Sequence, residues 1–366
     1  MTARRAAARI AKNADVSGEE FGRTAMPRSI AFVLVGFLAV TPTATAQNAA
    51  PEKPVVKLGI GSRIQIPYLA VNIAEHKGYF KEQGLTVEFN DFGGGGSDSL
   101  KALVSGSVDF IAGAYEHTLY LQARGQAITS VALQNNSFGV VIALSKEKAT
   151  TYKSPKDLTG LKMGVTAPGS SSALALSLLM SKENLAADQI SIVGVGAGNS
   201  AVAMMKSGRL DGESNFDPVI TRLVLDGDLV PVVDTRTKAG LDYLYGGPFA
   251  GSAISTTPDF IKSNPKTVQA FVNGMVKALH WLQKASVDEI ADALPPEFYA
   301  GDKEFYKKAV QANREMLSKD GIVTSALSGN TYRIISSFNE SVKNAKIDMA
   351  KTYDASFAEN ANKTMH

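Results

Sequence analysis

The 366-residue chain contains no cysteine. This absence excludes disulfide bonds, thiolate nucleophiles, iron–sulfur clusters and cysteine-ligated zinc, as well as a lipid anchor attached through cysteine. The four histidines show neither His-x-His nor His-Glu-x-x-His spacing, so we predict no metal site and no cofactor. No Gly-x-Ser-x-Gly motif or evident Ser-His-Asp set is present. The sequence therefore does not predict an enzyme.

The chain also lacks an excess of either charge beyond its first 46 residues. Of the 38 basic residues six lie in that segment, which leaves 32, and of the 35 acidic residues three lie there, which also leaves 32. A chain with balanced charge has no general electrostatic attraction for polyanions. We therefore predict no nucleic-acid partner.

Long hydrophobic runs are absent too. The apolar run from Ile30 to Val40 has eleven residues, whereas a membrane-spanning helix needs about 20. Arg28 precedes this run, and Ala44-Thr45-Ala46 follows it as an A-x-A cleavage pattern. Residues 1–46 therefore read as a signal peptide, with a possible N-terminal extension before Met26. We expect an exported, soluble periplasmic protein without a lipid anchor.

Two sequence blocks recur in the same order, which indicates an internal duplication. KLGI at 57–60 matches KMGV at 162–165, and GGGGSDSLKALVSGSVD at 93–109 matches VGAGNSAVAMMKSGRLD at 195–211. Short apolar runs alternate with helical patterns in both halves, which is typical of βαβ units on a parallel sheet. The sequence thus predicts an α/β fold with two similar lobes, because each half carries the same set of elements.

Two α/β lobes that face each other enclose a cleft, because open sheets bind ligands beyond the carboxyl ends of their strands. We predict lobe I at 55–142 and 247–350, including C-terminal helices, and lobe II at 143–246. A long amphipathic helix within 258–285 and helices near 303–318 and 330–346 are expected to cover lobe I. Six loops should converge in the cleft: 61–67, 92–98, 114–118, 166–172, 195–200 and 215–218.

The four glycines at 93–96 have three possible roles. A flexible linker is disfavoured by the strand and helix patterns on either side. A nucleotide P-loop would end in Gly-Lys-Ser/Thr, whereas Ser97-Asp98 stands here. A loop that leads into a helix at the cleft remains, and Ser97 either caps this helix or helps to bind an anion at its N-terminus.

Three other motifs also have alternative roles. GAGNSA at 196–201 matches a dinucleotide-binding pattern, but the helix that follows is too short for that fold. TAPGSSS at 166–172 offers hydroxyls and N–H groups at a helix start, either as a cap or as an anion site. Asp217-Pro218 suits the first residues of a helix as well as a ligand contact.

Five segments follow one another along the chain: AEHKGYFKEQGLTVEF (74–89), ALVSGSVDFIAG (102–113), SPKDLTGLKMGV (154–165), FDP (216–218) and TPDFIKSNPKTVQAFVNGMVKAL (257–279). In this order they resemble the nitrate/sulfonate/taurine group of periplasmic substrate-binding proteins, which serve ATP-binding-cassette (ABC) importers. The likeness runs from about 55 to 345. The resemblance implies a type II periplasmic-binding-protein fold with two chain crossings at its hinge. It also implies an anionic solute, a transient membrane permease partner and a monomer.

The candidate ligand-binding residues come mainly from the six loops. We expect the helix starts at Ser97 and Ser170, with Arg63, to hold an anionic group, so that Arg63→Ala weakens binding more than tenfold. Aromatic residues would flank the solute, and Glu116 and Asp217 would accept hydrogen bonds from it. The full set is Arg63, Gln65, Gly95, Ser97, Tyr115, Glu116, His117, Phe138, Ser170, Ser171, Asn199, Phe216 and Asp217.

The solute itself stays open at this level. The bulky Tyr115-Glu116-His117 cluster favours an organic anion larger than nitrate, such as a taurine-like sulfonate or an aromatic carboxylate. A pyrimidine precursor of thiamin is the alternative. A sensor-type binding protein is less favoured, and so is an enzyme on the same fold, because the related pyrimidine synthases use a cysteine-rich segment that is absent here.

Overall fold

A computed structural model describes residues 50–365, which lie within one compact unit at 48–366. The predicted signal peptide lies outside the described residues. Within them, no helix is long and apolar enough to cross a membrane.

Ten strands are described in this part of the chain. They are β1 Val55–Ile60, β2 Thr86–Asp91, β3 Phe110–Ala114, β4 Thr129–Leu133, β5 Val141–Ser145, β6 Lys162–Val165, β7 Ser191–Gly194, β8 Gly212–Asn215, β9 Leu229–Asp234 and β10 Ser252–Thr256.

The α-helices alternate with the strands and then continue to the C-terminus. They are α1 Leu69–His76, α2 Tyr79–Glu82, α3 Gly96–Val104, α4 His117–Gln122, α5 Lys146–Thr151, α6 Ser171–Ser181, α7 Asn199–Lys206, α8 Val219–Leu225, α9 Lys238–Tyr245, α10 Pro258–Ser263, α11 Pro265–Lys284, α12 Val287–Asp292, α13 Lys303–Asn313, α14 Ser325–Phe338, α15 Glu340–Lys343 and α16 Ser356–Thr364.

The strands form two five-stranded mixed sheets with the same connectivity. The first has the order β2-β1-β3-β10-β4 and the second β7-β6-β8-β5-β9. In each sheet four strands run in one direction, and the fourth strand in the order is antiparallel to both of its neighbours. The predicted α/β class and two-lobed type II fold are confirmed.

Strand pairing supports the internal duplication. Leu58 pairs with Phe110 in the first sheet, and Met163 pairs with Gly212 in the second. The two pairs are related by the offsets of 105 and 102 residues that the sequence blocks showed. The antiparallel fourth strand of each sheet is the first strand after the chain crosses from the other sheet, since β5 follows β4 and β10 follows β9. These two crossings support the proposed division into lobe I and lobe II.

The long helix α11 packs on lobe I, where it contacts α1, α2, β4 and α16. Its fully buried Val268, Phe271, Met275 and Leu279 form the apolar face that the sequence predicted. Phe271 stacks on Phe110 of β3 with ring centroids 4.5 Å apart. Helix α11 thereby covers the lobe I sheet.

Helix α13 also packs against α8 of lobe II. Asp302, just before α13, accepts a hydrogen bond from Arg222 of α8 at 3.0 Å. The Arg222 guanidinium lies 3.9 Å from the centre of the Phe305 ring. The C-terminal helices therefore cover lobe I and contact lobe II as well.

Candidate functional site between the lobes

The glycine run lies where the two lobes touch. Gly95 has φ +97°, and a Cβ atom there would lie 2.9 Å from Oγ1 of Thr166 in lobe II. A Cβ at Gly196 of lobe II would lie 3.3 Å from the carbonyl oxygen of Gly93. Glycine permits this close backbone approach and the left-handed conformation at Gly95. The run is thus part of the closed contact between the lobes.

A small enclosed space, here called the inner cavity, lies beneath this contact. Its volume is about 10 Å³ for a water-sized probe, about enough for a single water molecule. Both lobes contribute to its walls. The lining residues are Gln65, Tyr68, Gly96, Ala114 and Phe138, with Thr166, Ser170, Ser171 and Phe216 from lobe II.

Three aromatic rings close one side of the inner cavity. The centroids of Phe138 and Phe216 are 5.0 Å apart, and Tyr68 meets Phe138 edge-on at 6.4 Å. Burial raises the pKa of the Tyr68 hydroxyl well above its usual value, so Tyr68 remains a neutral hydrogen-bonding group at physiological pH. This side of the cavity suits the apolar body or ring of a solute.

Hydroxyl groups from lobe II line the opposite side. Oγ1 of Thr166 lies 2.9 Å from Oγ of Ser170 and 3.0 Å from Oγ of Ser172. Ser170 is the N-cap residue of α6 without a side-chain cap bond. From lobe I, Nε2 of the buried Gln65 has no hydrogen-bond partner among the described residues. An unpaired buried donor beside a cavity is costly unless a ligand satisfies it.

Glu116 lies behind this wall and contacts lobe II. The Ser171 hydroxyl donates to Oε1 of Glu116 at 2.5 Å, whereas Oε2 is buried without a partner in the described chain. Burial raises the pKa of Glu116 to about 7. Its neighbour His117 is also buried, and burial lowers its pKa to about 4. The carboxyl group can thus change its protonation state near neutral pH, while the imidazole stays neutral.

Arg63 does not line the inner cavity. Its guanidinium stacks 4.0 Å from the centre of the Phe89 ring, and its Nε donates to Oδ1 of Asn72 at 3.1 Å. It also lies within 3.4 Å of His76. These contacts hold the Arg63 side chain away from the inner cavity, so the structure does not bring Arg63 together with the predicted residues that line it.

The Asp217 side chain does not line the inner cavity either. It is fully buried and accepts hydrogen bonds from Thr221 N at 2.8 Å, Arg236 Nη1 at 2.8 Å and Asn313 Nδ2 at 2.5 Å. Helix α8 begins at Val219, so Asp217 caps it from one position before the N-cap residue. With three donors bound, this carboxylate stabilises the start of α8 and does not line the inner cavity.

Three further predicted residues lie away from the inner cavity. The Tyr115 hydroxyl bonds Oγ1 of Thr352 at 2.7 Å and anchors the C-terminal segment. Ser97 lies in the first turn of α3, whose N-cap residue is Gly95, so Ser97 is not its cap. Asn199 lies in a separate pocket of about 140 Å³ between the lobes, alongside Arg222. Neither Ser97 nor Asn199 lines the inner cavity.

Sequence reasoning missed Tyr68 and Thr166. Tyr68 lies one residue beyond the predicted loop 61–67, at the end of a short 3-10 turn. Thr166 is the first residue after β6 and belongs to the predicted loop 166–172, but the candidate ligand-binding residues from this loop are Ser170 and Ser171. A stricter use of strand ends as markers for the cleft would have included Thr166.

The comparisons with known proteins agree with this architecture. Residues 67–286, more than half of the chain, match the family described as NMT1/THI5 like. A nitrate/nitrite-binding protein NrtA of Nostoc sp. (strain PCC 7120) is 28% identical over 173 residues. This match covers 46% of the present chain and spans only 37% of the relative's length.

Two solved structures share the fold. A protein from Bordetella bronchiseptica RB50 is 39% identical with a TM-score of 0.81, and the match covers 86% of this chain and 98% of the other. The alkanesulfonate-binding protein SsuA from Xanthomonas axonopodis pv. citri bound to MOPS is 18% identical with a TM-score of 0.63, over 83% of this chain and 99% of the other. The chain belongs to the NMT1/THI5-like family, whose fold it shares with nitrate- and sulfonate-binding proteins.

Proposed function

We propose that this protein is the periplasmic solute-binding component of an ABC importer and not an enzyme. It would act as an exported monomer that captures a small organic solute with an anionic group between its lobes. The closed form would deliver the solute to a membrane permease. Closure around a ligand is the known behaviour of two-lobed binding folds.

One observation carries this proposal. The inner cavity is enclosed by both lobes, with Gln65 and Tyr68 on one side and Thr166, Ser170 and Ser171 on the other. A solute bound there contacts both lobes only when the cleft is closed, and therefore favours the closed form. The small volume of the cavity implies that the lobes or the aromatic rings move apart to admit the solute.

The polar groups at the inner cavity suit a hydrogen-bonding head. No basic side chain is among its lining residues, so recognition would use the Gln65 amide and the hydroxyl groups. Glu116 could accept from an amine or hydroxyl, because its Oε2 is unpaired in the described chain. A nitrogen-containing aromatic ring, as in the alternative of a pyrimidine precursor, would use the same acceptor and the Phe138–Phe216 side.

A thermal-shift panel on residues 47–366 tests the function. The protein is first unfolded and refolded to remove bound solute, and the panel contains nitrate, alkane- and aminoalkanesulfonates, aromatic acids and aminopyrimidines. A solute at 100 times its Kd stabilises the folded state by about 2.7 kcal/mol. We expect an organic solute to stabilise the protein more than nitrate does. A panel without any shift, repeated with metabolite extract, would refute the receptor function.

Gln65→Leu should weaken binding of the solute identified in this panel by about fivefold, because the variant loses one hydrogen bond to the bound head. Gln189→Leu is the matched control, since Gln189 is exposed. Arg63→Ala should leave the affinity within about twofold. Titration calorimetry measures all three, and equal affinities for Gln65→Leu and wild type would exclude Gln65 from the site.

Gly95→Ala should weaken binding by roughly 5- to 100-fold, because the added methyl group meets Thr166 only when the lobes are closed. Gly93→Ala is the control: Gly93 has φ +64° and nothing within 4 Å of the added Cβ. It also places a methyl group at a positive-φ residue of the same loop, but without the contact. Equal loss of affinity in both variants would attribute the effect to strain and not to closure.

A further inference from the structure

A second, larger pocket lies on the other side of Ser170, and we call it the outer pocket. Its volume is about 370 Å³, far larger than the inner cavity. Lobe I contributes Tyr120 of α4 and Arg124 of the turn after it, lobe II contributes α6 and β7, and Asn339 comes from the C-terminal segment between α14 and α15. Ser170 lines both the outer pocket and the inner cavity, so only a thin wall separates the two spaces.

The outer pocket combines an apolar wall with one basic side chain. Ala173, Leu174 and Ile192 of lobe II form the apolar wall, and Arg124 stands on the lobe I side. Within residues 50–365 the arginines that pair with carboxylates are Arg222 and Arg236. Arg124 is exposed and has no such partner there. A planar guanidinium beside apolar surface suits an organic carboxylate or sulfonate.

Helix α4 connects this arginine with the inner cavity. Glu116 is the N-cap residue of α4, and Tyr120 lies one turn further along the same face of the helix. Arg124 lies in the turn that follows the end of the helix at Gln122. Glu116 Oε2 and the Tyr120 hydroxyl are both buried without a partner in the described chain. Helix α4 and the turn after it therefore carry an acid, a phenol and a base, in this order, on the side that borders lobe II.

We propose that the solute is elongated and bifunctional, with an amine beside Glu116, a body that passes Ser170 into the outer pocket, and a carboxylate or sulfonate held by Arg124. This inference rests on the proposed receptor function and specifies its solute. It also accounts for an inner cavity without a cation, because the anionic group lies at the other end of the solute. Apolar contacts with Leu174 and Ile192 would hold the body between the two charges.

The test uses linear aminoalkanesulfonates with two, three, four and six methylene groups, measured by titration calorimetry on residues 47–366. We expect affinity to rise at least tenfold from the two-carbon compound to the best longer one. Arg124→Gln should weaken the best compound at least tenfold and the two-carbon compound less than twofold. Arg209→Gln removes the same charge from an exposed arginine of lobe II, away from the outer pocket, and should change neither affinity by more than twofold.

Leu174→Trp provides a second, steric readout. The larger side chain would fill the outer pocket, so it should weaken the long compounds and spare the two-carbon compound. Equal effects of Arg124→Gln and Arg209→Gln would overturn the inference, and so would affinity that does not depend on length. Failure of every aminoalkanesulfonate to bind would overturn it too. The receptor function would then still stand if another class of the thermal-shift panel stabilises the protein.

Discussion

Asp217→Ala should lower the free energy of unfolding by about 3 kcal/mol. The substitution leaves the backbone N–H of Thr221 unpaired and removes one of the two carboxylates that pair with Arg236, whose side chain is only 10% exposed. Loss of one partner from a buried charged network is costly because the remaining charge is poorly solvated. The bond from Asn313 Nδ2 is lost as well. Urea unfolding monitored by circular dichroism measures the change.

Asp242→Ala is the matched control for this experiment. Asp242 pairs with Lys238 on an exposed face of α9, and such surface pairs contribute about 1 kcal/mol or less. If Asp217→Ala proved as mild as this control, the network around Asp217 would not stabilise the fold. A ligand role for Asp217 would instead appear as lost affinity at unchanged stability.

Glu213→Gln should make the protein less sensitive to alkaline pH. Glu213 is fully buried in β8, and burial raises its pKa from 4.5 to about 7. The folded state therefore favours the protonated carboxyl, whose stabilising contribution is complete below pH 4.5. This contribution is lost as pH rises through 7. Over that range the loss amounts to about 3 kcal/mol, because each pKa unit corresponds to about 1.4 kcal/mol.

The measurement compares the free energy of unfolding of Glu213→Gln and wild type between pH 4.5 and pH 8.5. The stability of Glu213→Gln relative to wild type should increase as pH rises. Any constant destabilisation by the buried glutamine amide does not change this trend. Other titrating groups, including Glu116 and His117, cancel in this difference. Glu88→Gln on the exposed side of β2 should show no such trend. A difference that stays constant across the range would show that Glu213 ionises normally in the folded state.

The duplication also shows why this carboxyl group is unusual. Glu213 occupies the position in lobe II that Ile111 occupies in lobe I, at the offset of 102 residues. Ile111 is a buried core residue, whereas Oε1 of Glu213 is buried without a partner in the described chain. The Asn215 amide donates both to Oε2 of Glu213 and to the carbonyl of Gly196. Glu213, which stands where lobe I has an isoleucine, thus acts through Asn215 to hold the loop at Gly196. This loop touches the glycine run of lobe I.

Much of the fold could be predicted from local patterns in the sequence. The repeated words KLGI and KMGV became β1 and β6, because alternating apolar and helical segments leave few ways to build a sheet. The glycine run was correctly placed in the cleft, since a Gly-rich loop between a strand and a helix lies at the carboxyl end of the strand. The position of the cleft can therefore be predicted from patterns of residues that are close together in the sequence.

The directions of the polar side chains could not be predicted in this way. Arg63 and Gln65 belong to the same loop, yet Gln65 lines the inner cavity while Arg63 stacks on Phe89. Asp217 is engaged by Arg236 and Asn313, which are 19 and 96 residues further along the chain. Arg124 could not be identified as a candidate from the sequence, because it shares a pocket with Ser170 only in the folded structure, across the cleft.

The sequence by itself therefore determined the two-lobed α/β architecture, the position of the cleft and the absence of cysteine chemistry. Only the tertiary structure decided which strand-end residues line the inner cavity and which stabilise the lobes. The physical reason is that periodicity and turn residues act over a few positions. A polar side chain, by contrast, takes the direction in which its hydrogen-bond and charge partners lie, and those partners come from distant parts of the chain.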